Sequence, residues 1–459
     1  MTRAVRIALI LWGILTLLII ASLLWIGLRL GEDGFATYIQ QPPLINLPVT
    51  LASVALLWLS AGALLLIIQS GRVDRSNILS IGGFFLVCWV YLNILSERFR
   101  YGDYTYYFDA AVKLYNNQPL PGSYFYLPFW ATLIQYLAPL GIDTFFLVLW
   151  LLNFFALLLF YVLLHRTLPR YGFTPQFAAP ITMLFMLANA PLLRTLAYVQ
   201  VNLHALNFVL LSLLLYPKRS FLSALCLALA VHLKTSPAVL ALAFLLEKDW
   251  RWLGWFVLSI IGIAGLTVAT DGFAPFLDSM RHVQGLTLSN NTIFHDTSFD
   301  SFLRFVGPIL HLRPRLILSL IYAAKVLLAA ATFAVMIRCM RTQAFFQAEG
   351  RGRNMLNALP PLFVLMTLAS PIVWEHHGIF VALAFLPLLK RLKLPSDWLW
   401  FGFAYLLEFL LPTFDFFPWS YGRLLAPLLV LWLMWKTASR TEVSAAFTRL
   451  NVWFQSALT

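Results

Sequence analysis

The sequence predicts an all-α polytopic membrane protein, a bundle of about 12–14 transmembrane helices. Hydrophobic residues make up 61% of the 459 residues and charged residues only 11%, whereas a soluble domain is nearer half apolar and a quarter charged. Long apolar runs are unbroken, and they do not alternate in polarity as the strands of a membrane barrel do. The composition therefore excludes a soluble enzyme, a disordered chain and an outer-membrane barrel.

The apolar runs that predict membrane spans begin near the N-terminus. The first, residues 7–28, is predicted to be a permanent anchor, because a run of about 22 residues is longer than the core of a cleaved signal. Further runs lie at 44–69, 78–95, 143–165, 176–196, 201–216, 252–270, 316–337, 355–373, 377–389, 397–412 and 424–436. The stretch 220–246 contains Lys234 and Pro237 and predicts two half-length helices that meet near one membrane face. The whole chain, 1–459, is expected to form a single transmembrane domain.

The distribution of charge predicts the orientation. If the N-terminus is inside and the spans alternate, the inner loops hold 20 of the 32 Lys and Arg residues and 6 of the 19 acids, a balance of +14. This agrees with the positive-inside rule and explains the net charge of +13 without a nucleic-acid partner. The protein is predicted to lie in the cell's inner (plasma) membrane, surrounded by membrane lipids, with both termini cytoplasmic. The two long loops, 96–142 and 271–315, are then extracytoplasmic.

The first long loop carries a carboxylate at the start of a helical pattern. Tyr107 and Ala110 follow Asp103 by four and seven residues, so the three share one helix face. Asp103 either caps that helix with its side chain or serves as a general base at the membrane surface, and the two roles are compatible.

Two further polar groups come later in the chain. One cluster follows the predicted span 176–196 and consists of Arg194, Tyr198, Gln200, Asn202 and His204. Gln200 and Asn202 lie at a helix entry, where they either cap the helix or bind a polar ligand. Lys234 lies inside an apolar stretch, where it either extends to the interface or forms a functional site. A cation beside a helix break suits an anionic headgroup.

The second long loop and the segment after the span 355–373 complete the candidate residues. In the loop, Asn290 begins an Asn-x-Thr glycosylation frame, a common three-residue pattern that we interpret as a chance match. His295 and Asp296 are only two adjacent ligands and make a poor metal site without others. The later segment is Trp374-Glu375-His376-His377. Two adjacent imidazoles, a carboxylate and an indole at a break between apolar runs do not serve packing alone. The segment indicates phosphate binding, proton transfer or metal ligation. Because neighbouring imidazoles point to different sides of a helix, phosphate or proton chemistry is favoured over metal ligation.

In order along the chain, these motifs resemble those of glycosyltransferase family 87. The motifs are Asp103 with Tyr107 and Ala110, Gly122, Tyr126-Leu127-Pro128, Gln200-Val201-Asn202, Lys234 with Pro237, the outer-loop Asn region, and Ser370-Pro371 with Trp374, His376 and His377. The likeness covers about residues 78–390. Three positions depart from the family pattern: a single Pro128 after Leu127, Val199 where glycine is common, and Val373 where serine is frequent.

The resemblance implies a C-type glycosyltransferase-like bundle with short extracytoplasmic interface helices, similar to the phosphatidylinositol-mannoside mannosyltransferases. It implies inverting transfer of a mannose-like hexose from a polyprenyl-phosphate sugar donor to a hydroxyl of a lipid-linked or extracytoplasmic glycan or glycolipid acceptor, without a cofactor. Asp103 is then the catalytic base. The substrate-binding residues are expected to be Tyr107, Arg194, Gln200, Asn202, Lys234, Asn290, Trp374, His376 and His377.

Two other functional classes remain open at this point. A multi-span flippase for lipid-linked sugars, or a secondary transporter, is favoured by the broken helix and by Lys325 and Glu408, which fall inside apparent spans. These two residues pair with each other, pair with a backbone carbonyl, or mark an ion path. A non-catalytic subunit of a glycan-assembly complex is the other alternative.

Overall fold

Every element of secondary structure among the described residues of the computed structural model is helical. This confirms the prediction of an all-α membrane protein. The described residues are a few between 7 and 17, then 75–96, 102–288, 296–347, 350–411, 421–440 and 443–458. The predicted span at 44–69, most of that at 7–28, Asn290 and His295 lie outside them.

The helices follow the chain in the order that the apolar runs predict. They are α1 (Arg75–Ser96), α2 (Tyr104–Tyr115), α3 (Pro128–Ile134), α4 (Gly141–Thr167), α5 (Pro175–Leu187), α6 (Ala190–Ala197), α7 (Asn202–Leu215), α8 (Ser220–Leu233), α9 (Ala241–Leu246), α10 (Trp250–Asp271), α11 (Ala274–Leu288), α12 (Phe299–Ile309), α13 (Pro314–Thr342), α14 (Arg353–Leu368), α15 (Ala382–Leu388), α16 (Pro395–Tyr405), α17 (Gly422–Ala438) and α18 (Ala445–Leu458). Short 3₁₀ helices occur at Gln135–Leu140, Leu168–Tyr171, Ser236–Leu240, Glu375–Val381 and Leu389–Arg391, and a π-helix at Leu406–Leu410.

Three helical stretches of the described chain are long and apolar enough to cross a membrane, namely Pro128–Tyr171, Trp250–Asp271 and Pro314–Thr342. Helices α5 and α6 reach this length together but are bent by 63°. Pro191 lies in the first turn of α6, and the side chain of Asn189 accepts a hydrogen bond from the Leu192 N–H at 2.9 Å. The run 176–196 is therefore two helices, and the total of about 12–14 spans stays a prediction.

The chain breaks at Lys234, as the sequence predicts. Helix α8 ends at Leu233, and Lys234 takes an extended conformation with φ −154° and ψ 125°. Pro237 then starts a 3₁₀ turn that leads into α9. Since proline cannot donate a backbone hydrogen bond, the helix does not continue through this point, and the lysine is presented at the break.

Two ends of the bundle differ in their polar chemistry. Helix α17 carries Arg423 in its first turn, paired with Glu375, and Lys436 in its last turn, paired with Asp397. Its 17 residues cover about 25 Å. The Asp397 end is rich in cations: Lys436 and Arg440 pair with Asp397, Arg391 donates to the Arg440 carbonyl, and Arg338 donates to Ser439. We call this the basic end and the Glu375 end the site end. Between them, α14 and α15 are almost wholly buried and form the centre of the core.

Candidate active site

Asp103 lies at the site end and does not cap its helix. It immediately precedes α2, but its side chain makes no capping hydrogen bond, and its backbone is helical with φ −67° and ψ −7°. Its backbone N–H instead donates to the carbonyl of Tyr198 at 3.0 Å. A Cβ on Gly102 would approach this same carbonyl oxygen to 3.0 Å, so glycine allows the two segments to come together. The capping alternative is wrong for this side chain, whose carboxylate remains half-buried at the site.

Lys234 faces Asp103 across the site. Its ammonium donates to Asn202 Oδ1 at 2.8 Å and lies 5.8 Å from the centre of the Phe380 ring. Burial lowers the pKa of Lys234 to about 7, while the negative charge of Asp103 acts in the opposite direction. Burial likewise raises the pKa of Asp103 to about 6, against the positive charge of Lys234. The structure thus brings together the Asp103 carboxylate and the Lys234 ammonium, the two charged groups that were predicted from the sequence as site residues.

Asn202 connects Lys234 to the histidine segment. Its amide donates to the backbone carbonyl of His376 at 3.4 Å, and the hydroxyl of Thr195 shares its proton between this carbonyl at 3.3 Å and that of Pro191 at 2.9 Å. The first turn of α7, the end of α6 and the 3₁₀ turn Glu375–Val381 are held together by these bonds. Residues far apart in the sequence therefore meet around one amide side chain.

The two histidines occupy different environments. His377 accepts a hydrogen bond on Nδ1 from the Trp374 N–H at 3.2 Å and also bonds to the backbone of Ile372, so it stabilises its own turn. The ring of His376 lies 6.3 Å from that of Tyr198 and 5.9 Å from that of Trp374. Burial, and then the charge of Lys234, hold the pKa of both imidazoles well below the ordinary value. Both rings are therefore neutral at pH 7.

Glu375 lies between two arginines at the edge of the site. Its carboxylate is 3.1 Å from Arg423 Nη2 and 3.5 Å from Arg194 Nε. Arg423 is buried, whereas the side chain of Arg194 is 40% exposed and lies over the ring of Tyr198 at 5.0 Å. Arg194 therefore presents a cation at the surface of the site. Arg423 could not be predicted as a site residue, because it belongs to no motif and its role depends on a contact between segments that are distant along the chain.

Gln200 and two tyrosines form a second cluster beside Asp103. The hydroxyls of Tyr107 and Tyr126 lie 3.1 and 2.9 Å from Gln200 Oε1, and 3.2 Å from each other. Burial raises the pKa of both tyrosines, and the negative charge of Asp103 raises it further. Tyr126 was not among the predicted site residues, although it is the tyrosine of the Tyr-x-Pro motif that signals the resemblance.

Val199 adopts a left-handed backbone conformation immediately before Gln200. Its φ is +55°, which is rare for a β-branched residue, and its side chain is buried. This conformation turns the chain so that the Tyr198 carbonyl reaches Asp103 while Gln200 reaches the tyrosines. A glycine adopts this conformation without strain, which gives a physical reason for the glycine that is common at this position.

The end of the second long loop is joined to the histidine segment. Asp296 Oδ1 accepts hydrogen bonds from the backbone N–H groups of Val373 and Ser298, both at 2.9 Å, and Thr297 N donates to the Val373 carbonyl at 2.7 Å. Burial raises the pKa of Asp296 to about 6, against these hydrogen bonds. Asp296 thus orders backbone, and among the described residues no group of three His, Cys, Asp or Glu side chains is arranged to hold a metal.

Lys325 and Glu408 do not pair with each other. The ammonium of Lys325 lies 2.8 Å from Asp300 on α12. Glu408 is buried near Gly378, where a Cβ would come within 2.5 Å of its carboxylate oxygen, and it interacts with the charge of Arg423. The alternative that they form one ion pair is wrong, because each has a nearer residue of opposite charge.

Comparison with protein families identifies the class of the molecule. The model of glycosyltransferase family 87 matches residues 124–371, which is more than half of the chain, while a comparison with curated proteins finds no match. The matched region contains Gln200, Asn202 and Lys234, whereas Asp103 precedes it and His376 follows it. The chain belongs to glycosyltransferase family 87 and is a membrane glycosyltransferase.

Proposed function

We propose that the protein transfers a mannose-like hexose, with inversion, from a polyprenyl-phosphate sugar to a hydroxyl of a glycan or glycolipid acceptor. The observation that carries the proposal is the meeting of Asp103, Lys234 and the His376 turn around Asn202. A base for the attacking hydroxyl and a cation for the leaving phosphate are the two groups that this displacement needs.

Asp103 is the proposed general base. Its carboxylate takes the proton of the acceptor hydroxyl while that oxygen forms a bond to the anomeric carbon, and the electron pair of the broken C–O bond leaves on the phosphate oxygen. A pKa of about 6 keeps most of the carboxylate ionised at neutral pH. It also makes Asp103 a stronger base than an exposed aspartate, whose pKa is about 3.9. The proton is then released to solvent.

Lys234, Arg194 and the neutral ring of His376 are the proposed partners of the phosphate. The negative charge on the phosphate increases as the bond to the sugar breaks, so a fixed ammonium stabilises the transition state more than the bound donor. Binding of the anion favours the protonated form of Lys234, whose pKa is near 7 in its absence. Gln200 and Asn202 are proposed to bind sugar hydroxyls, with Tyr107 and Trp374 beside them.

The charge of the two ends supports an extracytoplasmic site. The described cations of the basic end, Arg338, Arg391, Lys436 and Arg440, belong to the predicted inner loops, whereas Asp103 and Lys234 lie at the site end. By the positive-inside rule, the basic end faces the cytoplasm. The donor's lipid tail is then proposed to lie among the apolar helices while its phosphate reaches the site end.

Replacement of Asp103 tests the proposal. With polyprenyl-phosphate mannose labelled in the sugar and membrane glycolipids as acceptors, Asp103→Asn should lower turnover by about 10²–10⁴-fold while leaving membrane insertion intact. Asp109→Asn is the matched control, because Asp109 is exposed on the same helix and should leave turnover unchanged. Near-normal turnover of Asp103→Asn would show that another acid is the base. Activity that survives a chelator would support the prediction that no metal cofactor is used.

The local charge partners of Lys325 and Glu408 weaken the transporter alternative. Lys325 and Glu408 were its best evidence, and each interacts locally with one opposite charge, Asp300 or Arg423. A non-catalytic role would make activity of an assembled complex indifferent to Asp103→Asn, so the same variant distinguishes it from the enzyme.

A further inference from the structure

Three buried polar atoms near Asp103 have no hydrogen-bond partner among the described residues. They are Trp130 Nε1, Gln200 Nε2 and His204 Nε2. Gln200 is fully buried, and Trp130 is only 8% exposed. Buried polar groups are almost always hydrogen-bonded, so each exception calls for a ligand, a water or an ion as partner. The proposed mechanism does not use Trp130 or His204.

The three atoms belong to one cluster, built from α3, the start of α7 and the end of the first long loop. The Trp130 ring lies 6.1 Å from that of His204 and 6.3 Å from that of Tyr107. The hydroxyl of Tyr107 is in turn 3.1 Å from Gln200. We call Tyr107, Tyr126, Trp130, Gln200 and His204 the Trp130 cluster.

The bonding capacity of the cluster matches an uncharged group that both donates and accepts. Trp130 Nε1 and Gln200 Nε2 can only donate. Each tyrosine hydroxyl has one proton: that of Tyr126 is directed toward Gln200 Oε1, and that of Tyr107 toward Gln200 Oε1 or the Tyr126 oxygen. Lone pairs on the hydroxyl oxygens are left to accept. The nearby negative charge of Asp103 disfavours an anion, and a hydrocarbon tail would leave every one of these atoms unbonded. A hydroxyl group can accept from the N–H donors and can donate its proton to a lone pair of a tyrosine oxygen.

We propose that Trp130, Gln200 and His204 bind one hydroxyl of a sugar substrate next to the reacting centre, and so select that sugar. The inference rests on the proposed glycosyl transfer. The hydroxyl belongs either to the hexose of the donor or to the glycan of the acceptor, both of which approach Asp103. A site built to bond a hydroxyl rejects the analogue that lacks it far more strongly than an apolar pocket does.

Single-hydroxyl deletions in the substrates test the assignment. The probes are synthetic polyprenyl-phosphate mannose and octyl mannoside, each with its monodeoxy derivatives. The wild-type protein should reject one derivative by about 10⁴-fold in kcat/KM. Trp130→Phe, which keeps the ring and removes one N–H, should lower kcat/KM for the parent sugar by about 10–100-fold and leave that derivative unaffected. Trp453→Phe is the control, because Trp453 is exposed on α18, and it should change nothing.

The pattern of losses separates specific binding from a structural effect. If Trp130→Phe and His204→Gln lower the rates of the parent and of every deoxy sugar equally, or lower none, the hydroxyl site is refuted. A selective loss among the deoxy derivatives of polyprenyl-phosphate mannose assigns the hydroxyl to the sugar donor. A selective loss among those of octyl mannoside assigns it to the acceptor.

A binding measurement keeps this inference independent of turnover. In Asp103→Asn protein, the parent sugar should raise the melting temperature more than the selected deoxy sugar, and the difference should vanish when Trp130→Phe is added. If wild-type protein transfers no sugar but this difference persists, only the proposed reaction fails. If transfer occurs and the difference is absent, only the hydroxyl site fails.

Discussion

The protonation of Asp103 and Lys234 predicts a narrow pH range for the reaction. Asp103 must be deprotonated to accept a proton, and Lys234 must be protonated to stabilise the leaving phosphate. Burial places the pKa of Asp103 at about 6 and that of Lys234 at about 7. The value of kcat/KM, which reports on the free enzyme, should therefore rise with pH through about 6 and fall through about 7.

The two pKa values determine how strongly kcat/KM changes with pH. With values of about 6 and about 7, roughly 0.6 of the enzyme carries both groups in the required state at the optimum midway between them. About two pH units above that optimum, the fraction falls to roughly 0.03, a loss of about 20-fold. A solvent-exposed lysine, with a pKa of about 10.4, would give no such loss over this interval.

The assay is kcat/KM for polyprenyl-phosphate mannose between about pH 5 and about pH 9 at constant ionic strength. Lys234→Arg retains a cation that does not titrate in this range. It should remove the alkaline fall and keep the acidic one, even if its maximal rate is lower. Lys113→Arg, a change at the last turn of α2, should leave the profile unaltered. A flat profile, or an alkaline fall that persists in Lys234→Arg, would refute the assigned role of Lys234.

Two stability predictions test the backbone of the site. Because Val199 has a positive φ, Val199→Gly should be more stable than Val199→Ala by about 1 kcal/mol, the reverse of the usual order; a more stable alanine variant would contradict the left-handed conformation. Gly378→Ala should destabilise by about 1–3 kcal/mol, since the added Cβ meets the Glu408 carboxylate at 2.5 Å. Gly254→Ala, with open space around it, is its control, and equal effects of the two changes on thermal unfolding in detergent would exclude the close contact at Gly378.

Much of the fold and several site residues could be predicted from chemical type in an apolar context. A lysine at a proline-terminated helix and a pair of histidines between apolar runs are costly in a membrane protein, so they are informative wherever they occur. The break at Lys234 followed directly from Pro237. The charge balance of the loops likewise predicts an orientation, because orientation depends on local charge and not on packing, and that orientation stays a prediction.

The sequence could not show which polar side chains form hydrogen bonds or ion pairs with one another. Asp103 has the pattern of a helix cap, but in the folded protein its side chain makes no capping hydrogen bond. The pairing of Arg423 with Glu375, and of Lys325 with Asp300, depends on contacts between segments that are distant along the chain. Tyr126 was passed over for the same reason, since its importance lies in its bond to Gln200.

The charges of the site couple base strength to donor binding. A phosphate bound beside Lys234 stabilises the ammonium form of the lysine, which moves the alkaline fall in kcat to higher pH than in kcat/KM. The same negative charge opposes ionisation of Asp103, so the acidic rise in kcat also moves to higher pH. Asp103 is then most basic when the donor is in place, and the coupling needs no conformational change. A kcat profile displaced toward lower pH would mean that the phosphate does not lie near these two side chains.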